Sequence, residues 1–199
     1  MQPTKTHILL IEIESDTMAN EVVEMVVSEN LFGVQDMIVW DDHQNNQFLS
    51  FTITGDPQSQ QRHRIALMTC SQQRRSKPVI YDPSSILKKR YAAAVTSAMV
   101  EHGLVLPHFL SAGHQDQGLI MEAHYFLERP PSHYTGAGLL KVSAPRYPMK
   151  KDIDNLEKFV LDALQSVMYN NDNMVRKSQN EKSYSAGAAY TKLVFRTYI

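Results

Sequence analysis

The chain has 199 residues, 43% of them apolar, and a formal net charge of −1, enough length for one substantial core. That total hides a division: residues 1–47 carry one base against nine acids (−8), whereas residues 48–199 carry 19 bases against 12 acids (+7), and only the second stretch has the electrostatics of a polyanion binder. The single cysteine, Cys70, excludes an internal disulfide, the eight histidines show no zinc-ligand spacing, and the run ILLIEIE is too short and too acidic for a signal peptide or a membrane span. A soluble intracellular protein without a membrane partner is the expectation.

In chain order, HILLIEIE (7–14) alternates like a strand, DTMANEVVEMVVSEN (16–30) reads as an acid-started helix, and VQDMIVW (34–40) reads as a second strand. With the polar linker DDHQNNQ (41–47) these form an acidic N-terminal extension, 1–47, whose acids are most simply a solvated face. The body, 48–199, opens with a strand near QFLSFTIT, a basic stretch QSQQRHR (58–64), a polar loop SQQRRSKP (71–78) and a short strand VIY (79–81). A helix from Asp82 or Ser84 to Glu101 follows, then a loop (111–118), a strand LIMEAHYFL (119–127), a Pro- and Gly-bearing loop (128–138), a helix over 154–168 and a closing strand, 190–199. Strands and helices interleave irregularly, without repeats, so the expected class is α+β with a mixed β-sheet packed with helices.

The stretch KKDIDNLEKFVLDALQSVMYNNDNMV (150–175) crowds acids around a helix start. Asp154 followed by Glu157 is a capping-box pattern, and Ile153, Leu156, Phe159, Val160, Ala163, Leu164 and Val167 keep helical spacing toward a core. Capping explains neither Asp152, outside the helix, nor Lys150 and Lys151, nor an acid at Asp172 in the Asn-rich turn where the helix should have ended. If the next strand folds back beside the lead-in, Asp152, Asp154 and Asp172 converge. An oxygen-only set with room for water and phosphate suits Mg²⁺, with Mn²⁺ as the substitute, rather than zinc. Lys158, one turn after Asp154, rises on the same face and can meet charge developing on a phosphate. The pattern points to phosphoryl-transfer chemistry. Asp162, two turns in, is expected to partner a nearby base, its spacing turning it away from the metal.

These residues resemble the signature of the RusA-type crossover junction endodeoxyribonucleases: a D-x-D-N-L-x-K start, a following D-A-L, and a turn bearing an Asp shortly before a Val. The similarity also takes in GDPQSQQRHR, ERPPSHY and NEKSY, so it spans roughly 48–199. It implies a homodimeric, Mg²⁺-dependent endonuclease that recognises four-way (Holliday) junctions in DNA and nicks strands of like polarity. Carried over by position, Asp152, Asp154 and Asp172 are metal ligands and Lys158 is the catalytic lysine. Asn171 stands where many members have a second acid, which implies weaker metal affinity. Arg62, Arg64, Arg74, Arg75, Arg146, Lys150 and Lys151 are the expected DNA contacts, Lys88, Lys89 and Arg90 read as a wet helix face, and His133 and Tyr134 as candidates for stacking on opened bases. Two rival readings remain: a junction-binding protein that has lost cleavage through its altered turn, and a metal-dependent phosphohydrolase of small nucleotides, which would need an enclosed nucleotide-sized pocket and no basic body.

Overall fold

The computed structural model describes residues 31–41, 47–70, 75–104 and 118–198. The chain divides into two compact units, Met1–Asn30 and Leu31–Ile199, and every described residue belongs to the second. The strand and helix expected over 7–30, most of the linker, the loop over 111–117 and Arg74 therefore lie outside the described residues.

The second unit is built on a five-stranded sheet in the order β1-β2-β7-β5-β6, where β1 is Gly33–Asp41, β2 Gln47–Thr54, β5 Gly118–Leu127, β6 Val175–Tyr184 and β7 Tyr190–Tyr198. All neighbours are antiparallel except β5 and β6, which run parallel. A separate antiparallel pair, β3 (Arg64–Cys70) and β4 (Arg75–Tyr81), forms a hairpin. The two helices are α1 (Ser85–Glu101) and α2 (Ile153–Leu164). The mixed sheet with helices is the α+β arrangement expected. The strand over 33–41, which charge had grouped with the acidic extension, instead pairs with β2 through Val34–Ile53 and Val39–Leu49. Charge counts report on solvent-facing residues, whereas strand membership is decided by pairing and by the face that is buried.

Alternation explains the central strands. In β5, Leu119, Met121, Ala123, Tyr125 and Leu127 are buried, and Leu49, Phe51 and Ile53 of β2 and Leu193 and Phe195 of β7 complete the inner face. The helices answer with a 3–4 spacing: Tyr91, Val95 and Met99 of α1, and Leu156, Phe159, Val160, Ala163 and Leu164 of α2. Edge-on aromatic contacts tie α1 to α2 and to the residue before β1, Tyr91 meeting Phe159 at 5.5 Å and Phe32 at 5.2 Å between centroids.

A parallel strand pair requires a crossover, and here α2 supplies it between β5 and β6. Two ties fix α2 beside β6: the Lys182 ammonium donates to the Lys151 carbonyl at 2.8 Å, and the Ser178 hydroxyl donates to the Glu157 carboxylate. Their order reverses along the two elements, so α2 runs antiparallel to β6. The start of α2 thus lies by the end of β6, and the turn bearing Asp172 lies toward the far end of α2.

Candidate active site

The lead-in to α2 is held in a costly conformation. Lys151 has φ of +62°, a left-handed backbone that costs an L-residue about 1–2 kcal/mol. Its ammonium donates to a carboxylate oxygen of Asp56 and to the Pro57 carbonyl, both at 2.5 Å, while its carbonyl takes the Lys182 bond. The segment that supplies these acceptors is itself pinned. The Gln60 amide donates to the Asn155 carbonyl at 2.8 Å and the Gln61 amide to the Ser84 hydroxyl at 3.0 Å. At Gly55 (φ +108°) a Cβ would fall 2.4 Å from the Leu31 carbonyl oxygen, so only glycine opens this segment without displacing backbone.

The capping box expected from Asp154 and Glu157 does not form. The helix starts one residue earlier, with Asp152 at the N-cap and Asp154 inside the first turn, and the Asp152 side chain accepts no capping bond. Glu157, three residues into the helix from Asp154, is engaged by Ser178. An N-cap aspartate that caps contributes roughly 1 kcal/mol, so an uncapping Asp152 has given up a local stabilisation.

One face of α2 and the Asp172 turn border an open cleft lined by Asp154, Glu157, Lys158, Leu161, Asp162 and Asp172. The expected face sharing of Asp154 and Lys158 is therefore observed, and Asp172 reaches the same cleft. Asp152 is exposed but is not part of the lining. Among the described residues no group of three His, Cys, Asp or Glu side chains lies close enough to hold a metal ion. Asp152, Asp154, Lys158 and Asp172 are exposed, and no hydrogen bond or ion pair engages their side chains within the described residues.

Asp172 opens a short 3₁₀ turn, Asp172–Met174, directly before β6. Asn171, the neutral residue in place of an acid, caps that turn: its side-chain oxygen accepts from the Asn173 amide at 3.1 Å. Behind it, buried Tyr169 donates its hydroxyl to the Leu161 carbonyl at 2.8 Å. Burial pushes the Tyr169 hydroxyl well above its ordinary pKa, and the negative charges of Asp172 and then Asp162 push it further.

Asp162 has the basic partner expected of it. Lys88 of α1 bridges Asp162 and Asp82, with 2.7 Å to each. Asp162 also borders the cleft, because positions 154, 158 and 162 follow one another at one-turn intervals. Burial alone would raise the Asp82 pKa, but hydrogen bonds from Lys88, the Ser84 amide and Gln60, with the Lys88 charge, leave it lowered. Lys88, similarly, is disfavoured as a cation by burial yet held above the ordinary lysine value by Asp162 and Asp82. Lys88 is thus a structural bridge and not part of a wet face, whereas its neighbour Lys89 is exposed.

The basic residues divide. Arg62 and Arg64 are exposed at the base of the β3–β4 hairpin, immediately after the pinned 55–61 segment, and Arg146 and Lys150 are exposed on the loop leading to α2. Arg75 begins β4, opposite Cys70. Lys151 turns its ammonium to Asp56, not outward. The loop over 128–149 is tied by its own bonds, among them Lys141 amide to His133 carbonyl at 2.9 Å and Arg129 guanidinium to Pro145 carbonyl at 2.9 Å. His133 packs edge-on against Tyr184, whose ring also carries the Arg129 guanidinium, while Tyr134 is exposed.

The cleft is thus open, lined by four acids and one lysine, and carried on an α+β body whose sequence is net basic. Residues 54–192 match the family model described as Endodeoxyribonuclease RusA, and the chain belongs to that family of endodeoxyribonucleases. No curated protein matches the chain. No described helix is long and apolar enough to cross a membrane.

Asp56 and Lys182 were not singled out by sequence reasoning. Asp56 lies in GDPQSQQRHR, a stretch that carries the family resemblance, but nothing in its spacing reveals a partner 95 positions away.

Proposed function

We propose that the chain is a Mg²⁺-dependent, structure-selective endonuclease that resolves four-way DNA junctions in recombination and repair, using Asp152, Asp154, Asp172 and Lys158. Family membership supports the nuclease reading, and the observation that carries the site is the cleft that Asp154, Lys158 and Asp172 share without internal partners. The donor set fits the metal. Mg²⁺ is commonly held by one or two carboxylates, completed by water and substrate phosphate, and Asp154 and Asp172 both line the open cleft with oxygen donors of that kind, while Asp152 stands on the lead-in two residues before Asp154. A bound divalent ion would supply an activated water and neutralise charge on the leaving oxygen. The residues of the chain do the rest. Lys158 opposes the charge that develops on the scissile phosphate, and Glu157 and Asp162, already engaged by Ser178 and Lys88, stiffen the walls. Arg62, Arg64, Arg146 and Lys150, with Arg74 and Arg75, contact backbone phosphates and set register, a role that needs no base readout.

Two incisions on a roughly symmetric junction suit a two-fold dimer presenting identical sites. Leu139, Leu140, Val142, Tyr147 and Met149, displayed by an internally bonded loop, offer an apolar surface for that contact. The openness of the cleft disfavours the nucleotide phosphohydrolase reading, since small-ligand sites bury most of their ligand. The test is incubation with a synthetic four-way junction, a matched duplex and mononucleotides, with and without Mg²⁺. Paired, Mg²⁺-dependent nicks confined to the junction are expected. Binding without nicks would leave the impaired junction-binding reading in its place, and hydrolysis of mononucleotides alone would replace it with a phosphohydrolase.

A further inference from the structure

We propose that Asp56 is a positioning residue for the metal-binding carboxylates: by holding Lys151 in its left-handed turn, it sets Asp152 as an N-cap residue that does not cap. The inference rests on reading Asp152 and Asp154 as metal ligands. Lysine is not a residue that settles into positive φ unaided, yet Lys151 stands at +62° immediately before Asp152. Three contacts keep it there: its ammonium on Asp56 and on the Pro57 carbonyl, and its carbonyl under the Lys182 ammonium. The consequence appears one residue on. Asp152 has the extended backbone of an N-cap (φ −65°, ψ 138°), the position where an aspartate ordinarily bonds the helix amides, and its side chain makes no such bond. A carboxylate freed from the helix start in this way is available to an ion.

The Asp56–Lys151 pair is not explained as a device for stability. Asp56 is more than half exposed, and ion pairs of that kind contribute little to folding. What the pair does have is geometry: it joins the 55–61 segment, which runs on into Arg62 and Arg64, to the residue preceding the first acid of the site. Outer partners of metal ligands affect affinity by about 10–100-fold, and the exposure of Asp56 places it at the lower end.

The experiment is Mn²⁺ titration of the full-length protein without DNA, followed by electron paramagnetic resonance of free Mn²⁺, for wild type, Asp56→Asn, Asp56→Glu, Lys151→Gly and the Asp56→Asn/Lys151→Gly double variant. Asn preserves the shape of Asp56, and Gly tolerates the positive φ while removing the ammonium. Asp56→Asn should weaken Mn²⁺ binding about 10-fold, Lys151→Gly should match it, the double variant should be no worse than either, and Asp56→Glu should recover part of the loss. The melting temperature of Asp56→Asn and its junction affinity in metal-free buffer should stay at wild-type values, so a merely structural role would not reproduce the pattern. If wild type binds Mn²⁺ and Asp56→Asn binds it equally well, the positioning role is overturned while the site reading stands. Additive losses in the double variant would overturn it too. If wild type binds no Mn²⁺, the site reading itself fails and carries this inference with it.

Discussion

Two neighbouring groups of acids meet along α2 and are treated in opposite ways. At the α1–α2 contact, Asp82 and Asp162 are closed on Lys88 at 2.7 Å each, and all three side chains are at least two-thirds buried. In the cleft, Asp154 and Asp172 stand exposed beside Lys158 with no bond made, and Asp152 declines the cap that its position offers. The first arrangement spends carboxylates on holding two helices together. The second forgoes local stabilisation and gathers negative charge on a body that is otherwise basic, an arrangement that would suit a cation better than it suits the fold. The same residue type, a few positions apart, is thereby closed into an ion pair or left open to the cleft.

Substitutions at the two groups should separate along that line. The largest expected effect is on chemistry: Asp152→Asn or Asp172→Asn should abolish nicking in Mg²⁺, read by gel analysis of a labelled junction, with circular dichroism unchanged. Lys158→Ala should lower turnover by about 100-fold or more, the scale on which removing one transition-state charge partner acts. Turnover equal to wild type would reduce Lys158 to a surface lysine. At the paired group, Lys88→Met should leave the chemistry of the cleft intact in kind but destabilise the fold by about 1–3 kcal/mol, between the small worth of exposed pairs and the larger loss when a buried pair is broken.

The pH dependence of that loss follows from the shifts. The depressed Asp82 pKa contributes stability that is present above the ordinary carboxylate range and disappears as pH falls through the folded value. The raised Lys88 pKa contributes stability present below 10.5 that disappears as pH rises through its higher folded value. The difference in melting temperature between wild type and Lys88→Met should therefore be flat through neutral pH and shrink at both ends. A difference that grows in acid would contradict the bridge. The smallest effect belongs to the cleft again: Asp172→Asn should leave the melting temperature unchanged or slightly raised, because no partner is lost and like charge is relieved.

How far the sequence revealed this depends on the kind of signal. The helices and β5 were legible because burial imposes period: Tyr91, Val95 and Met99 on one helix face, alternate residues from Leu119 to Leu127 on a strand. β6 was not, because VRKSQNEKSY is an edge strand without a fully buried residue, whose charges carry no alternation and protect an open edge. Val167 keeps helical spacing and so extends the expected helix to Met168, yet the chain leaves the helix at Gln165 and Ser166 turns left-handed (φ +70°). Val167 and Met168 are buried from a turn instead, with their amides on the Leu164 carbonyl, and no Gly or Pro marks the break. In the site, Asp154, Lys158 and Asp172 could be grouped from spacing and resemblance. The clasp of Asp56, Lys151 and Lys182 could not, since it joins three distant stretches by side-chain bonds to backbone and carboxylate.

The claim that unpaired cleft acids are kept for catalysis is tested most directly by measuring binding and cleavage of a four-way junction side by side for wild type and Asp154→Asn. Binding is read in Ca²⁺ and nicking in Mg²⁺. Asp154→Asn should bind the junction as tightly as wild type or more tightly, because repulsion of phosphate is relieved, and should make no nicks. Cleavage at the wild-type rate, or loss of binding in parallel with loss of cleavage, would contradict the account.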